Sequence, residues 1–181
     1  MPRTTALNIL NQLKQFNIEP VVYWDIYGIY ANTNRNYANK YLETCGAIPT
    51  FIDDFSEITH KSIYKIIALG DNEVLKEVER HFAPQSNLFN MFFSGQHLFE
   101  FCSLSASKGL ALNHACTILG ININETIAVG DSGNDISMIT AAGVGVAMQN
   151  ASDHIKSFAD YVTTKNCVTN GVAEVIQKFI L

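Results

Sequence analysis

Residues 126–140, TIAVGDSGNDISMIT, contain the pattern from which the fold class can be inferred. It opens with a short apolar run that ends at Gly130 and predicts a buried strand. A polar turn follows, and a short helical pattern begins at Asp135. In open α/β sheets, ligands bind at the carboxyl ends of the strands. We therefore expect Asp131, which comes directly after the strand, to lie where it can reach a ligand.

The same rhythm of short apolar strands and helices extends over residues 103–181. The pattern predicts helices over residues 108–119, 135–141, 153–158 and 171–180, and strands over residues 126–130, 144–148 and 161–163. Strict alternation of this kind indicates a parallel sheet covered by helices. The predicted fold class of this part is α/β.

Residues 1–102 follow a different pattern. Helices are predicted over about residues 4–16, 34–45 and 71–82, and strands over residues 21–24, 28–31, 64–69, 88–93 and 97–102. Neighbouring strands could pair antiparallel, which makes this part α+β. We therefore predict two domains, residues 1–102 and 103–181.

Composition excludes several classes of protein. Of 181 residues, 48% are hydrophobic and 16% charged, which suits a packed core rather than a disordered chain. The net charge of −5 and the lack of a Lys/Arg cluster argue against a nucleic-acid partner. No apolar run reaches the roughly 18 residues that span a bilayer. Together with the lack of a signal-peptide pattern at the start, this leads us to expect a soluble cytoplasmic protein.

The four cysteines, Cys45, Cys102, Cys116 and Cys167, are scattered and form no Cys-x-x-Cys pair. This spacing argues against a zinc or redox motif, and we expect buried free thiols.

The turn after residue 130 contains two acids and an amide: Asp131, Asn134 and Asp135. Oxygen ligands so close together suit a hard cation such as Mg²⁺, which usually takes one or two carboxylates and completes its shell with waters and phosphate. The alternative is that Asp131 caps the following helix and Asp135 is a solvated acid of its first turn. Spacing alone does not separate the two interpretations.

Lys108 stands at the start of a predicted helix, between Ser107 and Gly109. A helix N-terminus has free N–H groups and positive potential, so a lysine there is well placed to hold phosphate. The alternative is an ordinary surface lysine. A lysine and an acidic loop on successive strand–helix units would together neutralise phosphate oxygens, as phosphoryl transfer requires.

Three segments together resemble motifs of the Cof-type phosphatases of the haloacid dehalogenase superfamily. They are SKG at residues 107–109, GDSGNDISMI at 130–139 and AGVGVAMQNA at 142–151. The resemblance covers residues 103–181 closely, and residues 1–102 are more loosely similar to the family's cap domain. It implies the C-terminal half of a Rossmann-like core, and a Mg²⁺-dependent phosphatase whose substrates are small phosphorylated metabolites such as sugar phosphates, nucleotides or phosphorylated cofactors.

The resemblance also implies roles for individual residues. Asp131 would bind Mg²⁺, and Asp135 would support the metal site through water or by orienting Lys108. Lys108 would neutralise the phosphate and the nucleophile, and Asn134 would contact phosphate or substrate. Asn150 matches a family position near the site, but packing within its loop is an equal alternative.

The family's first motif is a strand ending in Asp-x-Asp-x-(Thr/Val), whose first Asp attacks phosphorus and whose second is the general acid and base. This sequence contains no Asp-x-Asp pair, and the nearest segment, Asp25-Ile-Tyr27, reads as a cap strand. We therefore expect that the nucleophile segment is missing and that this chain alone is inactive. We also expect it to self-associate, or to pair with the missing core segment, through open strand edges. The alternatives are a non-catalytic module that binds Mg²⁺ and phosphate, or an interaction module.

Four aromatic residues of the predicted cap, Trp24, Tyr27, Tyr30 and Tyr37, could line a substrate pocket. The more favoured interpretation is aromatic packing in the core.

Overall fold

The structure, a computed structural model, describes residues 1–24, 28–32, 36–59 and 62–181. It divides into two compact units, residues 1–104 and 105–181. The predicted cap strand around Asp25 and Tyr27 falls partly outside the described residues.

The described residues of the first unit form three α-helices and one mixed sheet. The helices are α1 (Arg3–Leu13), α2 (Asn36–Cys45) and α3 (Asn72–Phe82). The strands are β1 (Glu19–Tyr23), β2 (Ile29–Ala31), β3 (Thr50–Phe51), β4 (Lys65–Leu69), β5 (Asn90–Gly95) and β6 (Leu98–Cys102). Their order is β3-β2-β1-β4-β6-β5, and every pair is antiparallel except β2 with β3. The predicted antiparallel pairing is confirmed, and β3 is a strand that the sequence pattern did not reveal.

Each face of this sheet carries its own apolar cluster, because successive side chains of a strand point to opposite faces. On β4, Ile66 packs in a cluster with residues of α1 and α3, and Ile67 packs in a second cluster with Leu42 of α2. The first cluster is rich in phenylalanine, with edge-to-face ring pairs such as Phe82 with Phe101 at 4.9 Å. The period-2 alternation of the strands thus accounts for both layers.

The described aromatic residues of the first unit pack on these clusters. Trp24 and Tyr30 lie against the first cluster with ring centroids 6.3 Å apart. Tyr37 lies against the second, and its hydroxyl donates a 2.5 Å hydrogen bond to Asp71. Asp71 occupies the N-cap position of α3, but its side chain makes no capping hydrogen bond there. These contacts favour core packing for the three residues, and Tyr27 lies outside the described part.

The second unit is a parallel sheet with helices between its strands. Its helices are α4 (Lys108–Leu119), α5 (Ile136–Ala141), α6 (Asp153–Lys156) and α7 (Gly171–Phe179). Its strands are β7 (Ile127–Gly130), β8 (Val144–Ala147) and β9 (Tyr161–Val162), in the order β7-β8-β9 with both pairs parallel. The predicted α/β fold class is confirmed.

The cysteines differ from one another in their exposure to solvent. All four cysteines are free, but only Cys102 and Cys116 are buried, whereas Cys45 and Cys167 are exposed. The expectation of buried thiols was wrong for those two, because each lies in or next to a solvent-facing loop. In the described part of the chain, no helix combines the length and the apolar character that a membrane crossing requires.

Candidate functional site

The polar turn after β7 is a short 3-10 helix, Gly133–Asp135, that leads into α5. Ser132, not Asp131, occupies the N-cap position of this turn. The interpretation of Asp131 as a helix cap was therefore wrong, and its carboxylate is available for other contacts.

Asp135 turns back onto the end of β7. Its Oδ2 accepts hydrogen bonds from the backbone N–H groups of Asp131 and Ser132, each at 3.0 Å. Its Oδ1 accepts a hydrogen bond from Nζ of Lys108, 27 residues earlier in the chain. The residue is only 4% exposed. The interpretation of Asp135 as a solvated acid was therefore wrong, because three donors compensate the burial of its charge.

The environment of Asp135 keeps it ionised. Burial of the carboxyl group raises its pKa, but the hydrogen bonds from Lys108, Ser132 and Asp131 lower it, and the net pKa lies below its ordinary value. Asp135 is thus a carboxylate at neutral pH, and the side chain of Lys108 that pairs with it is 49% exposed and accessible to a further anion.

The close packing of Asp135 depends on Gly130. A Cβ atom at position 130 would lie 2.3 Å from Cβ of Asp135 and 2.7 Å from its Oδ2. No side chain fits at that distance, so a glycine at the end of β7 is what allows the carboxylate to reach the backbone of the turn.

Lys108 is the first residue of α4, and the residue before it caps this helix. Ser107 is the N-cap, and its hydroxyl accepts a 3.1 Å hydrogen bond from the N–H group of Leu110. The lysine side chain is 49% exposed although its ammonium group contacts the buried carboxylate. Lys108 is therefore an anchored lysine with one side open to solvent, rather than an ordinary surface lysine.

Asp131 is partly buried and both of its carboxylate oxygens have one protein donor. Oδ1 accepts from the hydroxyl of Ser132 at 3.2 Å, and Oδ2 accepts from Nδ2 of Asn150 at 2.8 Å. A carboxylate oxygen has two lone pairs, so each retains one for a further partner. Asn150 follows β8, the neighbouring parallel strand, and its position there is what brings it to Asp131.

Asn134 adds an oxygen atom without a donor. Its Oδ1 is buried and has no hydrogen-bond partner among the described residues. A buried amide oxygen of this kind is costly unless a donor or a cation compensates it. The turn therefore contains an oxygen-rich set, Asp131 and Asn134, that fits a hard cation.

The described residues contain no group of three or more His, Cys, Asp or Glu side chains that could hold a metal ion by themselves. Such a set would be expected for zinc. A pair of oxygen ligands completed by waters and phosphate is the usual arrangement for Mg²⁺. The residues of the turn thus fit magnesium better than a metal that needs a closed protein shell.

The structure brings the predicted site residues together in one place at the carboxyl end of β7. Lys108 and Asp135 are in direct contact, Asp135 binds the backbone of Asp131, and Asn134 lies in the same turn. Asn150 is the residue whose contact the sequence left open. Sequence order alone does not assign this contact, because it depends on the parallel pairing of β7 with β8.

The chain is similar in sequence to several curated phosphatases. Phosphatase YwpJ of Bacillus subtilis is 51% identical over 87 residues, which are 48% of this chain and 30% of that protein. The 5-amino-6-(5-phospho-D-ribitylamino)uracil phosphatase YwtE of B. subtilis is 36% identical over 121 residues, 66% of this chain and 42% of that protein. The chain spans less than two thirds of the length of these curated relatives.

The fold is also found among solved structures. A haloacid dehalogenase-like hydrolase from B. subtilis superimposes with a TM-score of 0.83 and 29% identity, over 99% of this chain and 72% of that one. The family model of haloacid dehalogenase-like hydrolases matches residues 1–176. With this match over nearly its whole length, the chain belongs to the haloacid dehalogenase-like hydrolase family.

Proposed function

We propose that this chain is the metal- and phosphate-binding part of a Mg²⁺-dependent phosphatase that acts on small phosphorylated metabolites. The observation that supports it most is the contact of Lys108 with buried Asp135, whose second oxygen binds the backbone of Asp131. One carboxylate thereby links the cationic and the anionic halves of the site. The phosphatase relatives support the same reaction class.

Each residue has a separate role in this proposal. Asp131 would hold Mg²⁺, with Asn134 as a second oxygen ligand or as a contact to the substrate. Asp135 would support the metal site and orient Lys108, since its own oxygens are engaged by three donors. Lys108 would neutralise the phosphate through the solvent-facing side of its ammonium group.

When bound, Mg²⁺ would supply charge neutralisation at the phosphoryl oxygens. The residues of the chain would position the phosphate and keep the N–H groups of the Lys108 ammonium group directed toward it. The sequence contains no Asp-x-Asp pair. None of the four site residues, Lys108, Asp131, Asn134 and Asp135, is proposed as the nucleophile. We further propose that the chain alone binds phosphate without hydrolysing it.

The first unit has a separate proposed role. We propose that residues 1–102 act as a cap that selects the substrate, while residues 103–181 hold the phosphate. The division of the structure into two compact units supports two roles. The four free cysteines fit a reducing compartment, and we propose a cytoplasmic location on that basis.

The proposal is tested by calorimetric titration of the chain with inorganic phosphate, with Mg²⁺ and with EDTA. We expect binding that requires Mg²⁺ and that Asp131→Asn and Lys108→Met abolish. Lys76→Met removes an exposed lysine of α3 that pairs with Glu73, and this control should bind phosphate like the wild type. A phosphate affinity that is the same with Mg²⁺ and with EDTA, and the same in Asp131→Asn as in the wild type, would contradict the proposal.

Two further outcomes distinguish the alternatives. Hydrolysis of p-nitrophenyl phosphate by the chain, abolished in Asp131→Asn, would show that the chain supplies a nucleophile and is an active enzyme. Mg²⁺-dependent phosphate binding without hydrolysis, even after addition of a family core segment, would favour the non-catalytic binding module. An interaction module predicts that Asp131→Asn changes neither ligand binding nor stability.

A further inference from the structure

We infer that Asn150 is a positioning residue that fixes the orientation of the Asp131 carboxylate. This inference rests on the proposed function, in which Asp131 is the Mg²⁺ ligand. It concerns how that ligand is held and adds a residue from a neighbouring strand–helix loop to the site.

The Asn150 side chain joins two parts of the second unit. Its Nδ2 donates a 2.8 Å hydrogen bond to Oδ2 of Asp131. Its Oδ1 accepts a 3.2 Å hydrogen bond from the backbone N–H of Cys167. A backbone N–H can only donate, so the amide oxygen of Asn150 must face Cys167. The NH₂ group is thereby directed at Asp131, and the reversed amide orientation would lose both bonds.

The loop that presents Cys167 is held independently of Asn150. Oδ1 of Asn166 accepts hydrogen bonds from the N–H groups of Val168 and Thr169, at 3.0 and 2.9 Å. Upstream in the same loop, the carboxylate of Glu174 on α7 accepts from the N–H groups of Thr164 and Lys165. The Cys167 N–H group is thus presented by a segment with its own hydrogen-bond network.

The two oxygens of Asp131 are held by different donors. Asn150 donates to Oδ2, and the hydroxyl of Ser132 donates to Oδ1. Donors on both oxygens restrict rotation of the carboxylate plane, and the remaining lone pairs therefore point in fixed directions. Carboxylates that bind metals are commonly held by such outer contacts, and loss of one typically weakens metal affinity by about 10- to 100-fold.

A role in loop packing alone makes a different prediction. Asn150 is exposed, so losing its bonds would then change the stability of the loop and leave metal affinity unchanged. Asn166→Ala separates the two effects, because it loosens the same loop without removing any contact to Asp131. Asn72→Ala is a matched control, since it removes one side-chain hydrogen bond of an asparagine in the first unit.

The test is Mn²⁺ titration of the ¹⁵N-labelled chain, because Mn²⁺ accepts the same oxygen ligands as Mg²⁺ and broadens nearby amide resonances. The amides of Ser132 and Gly133 report the site. We expect Asn150→Ala and Asn150→Leu each to weaken Mn²⁺ binding by about tenfold. Asn72→Ala should bind Mn²⁺ like the wild type. Asn166→Ala should lower the melting temperature and weaken Mn²⁺ binding less than either Asn150 variant does.

The outcomes separate the inference from the proposed function. If Mn²⁺ broadens these amide resonances in the wild type and both Asn150 variants bind Mn²⁺ equally well, the positioning role of Asn150 is refuted. The metal site itself is then still supported. If Asn166→Ala weakens Mn²⁺ binding as much as Asn150→Ala, loop packing explains the effect and the inference is overturned. If Mn²⁺ causes no broadening in the wild type, or broadening that persists in Asp131→Asn, Asp131 is not the metal ligand. The inference about Asn150 is then also refuted. Should Asn150→Ala fail to fold, Asn150→Leu keeps the side-chain volume and decides the question.

Discussion

Gly109 lies directly against the backbone of Ser137, and this approach joins the start of α4 to α5. A Cβ atom at position 109 would lie 2.3 Å from the carbonyl oxygen of Ser137. The Gly109 N–H group donates a 3.0 Å hydrogen bond to the hydroxyl of the same serine. Because Lys108 precedes Gly109 and Asp135 precedes α5, this contact sets the distance across which their ion pair forms.

Gly109→Ala should therefore separate α4 from α5 and weaken the contact of Lys108 with Asp135. We expect a loss of about 1–3 kcal/mol in the free energy of unfolding from overpacking, together with weaker phosphate binding. Urea unfolding and phosphate titration measure the two effects. Ala115→Ser enlarges an exposed residue of the same helix and should change neither. Normal phosphate binding in Gly109→Ala would show that the close approach does not position the lysine.

Asp135→Asn should destabilise the second unit more than Lys108→Met does. The aspartate is buried and accepts from three donors, whereas the lysine is half exposed and can be solvated. We expect a loss of about 2–3 kcal/mol for Asp135→Asn, since a buried charge is removed from a network of donors. Urea unfolding checks this value. Asp153→Asn removes an exposed carboxylate whose partner Lys156 lies 3.9 Å away, and it should cost little.

Glu174 should give the second unit a distinct dependence on acid. Its carboxylate accepts from the N–H of Thr164 and from the hydroxyl of Tyr161, and these bonds lower its pKa to about 2 from 4.5. A carboxyl group with a lowered pKa in the folded state contributes stability above its unfolded pKa and loses it as pH falls. The window of loss thus runs from about pH 4.5 down to about pH 2.

Glu174→Gln should accordingly be less stable than the wild type at pH 7, and the difference should shrink below pH 4.5. Thermal melts at a series of pH values measure it. Thr164→Val removes one hydroxyl donor and leaves the backbone donors, so its effect should be smaller. A difference between Glu174→Gln and wild type that is constant with pH would show that the carboxylate is not held in its ionised form.

The isolated chain should self-associate, because the second unit exposes apolar surface and a strand edge. On α4, Ile118 is 71% exposed and Leu119 is 68% exposed. Among the described strands, β7 pairs only with β8, which leaves its other edge open. Light scattering should give a mass above the 20.0 kDa of one chain, and Ile118→Glu should reduce it. A monomer that melts cooperatively at all concentrations would count against this expectation.

Most helices and strands of the second unit could be predicted from the sequence, because they follow from patterns among neighbouring residues. Period-2 and helical patterns, with glycine at the turns, place β7, α4 and α7 within one or two residues of their observed bounds. Lys108 and Asp131 could also be assigned as candidates, since each stands at the start of a helix or at the end of a strand. These features depend on neighbours in the chain.

What the sequence could not predict depends on contacts between distant segments. The burial of the Asp135 charge depends on a lysine 27 residues away, and that contact leaves no local pattern. The bond from Asn150 to Asp131 arises from the parallel pairing of β7 with β8, which the sequence predicts only in outline. The two-residue strand β3 is too short to give a periodic pattern.

The proposed site for Mg²⁺ and phosphate can be tested by a crystal structure of the chain grown with MnCl₂ and inorganic phosphate. We predict an anomalous peak in contact with a carboxylate oxygen of Asp131, and a phosphate bound to Nζ of Lys108 on its solvent-facing side. A metal ion that binds elsewhere, or a phosphate that contacts neither the metal ion nor Lys108, would contradict the account.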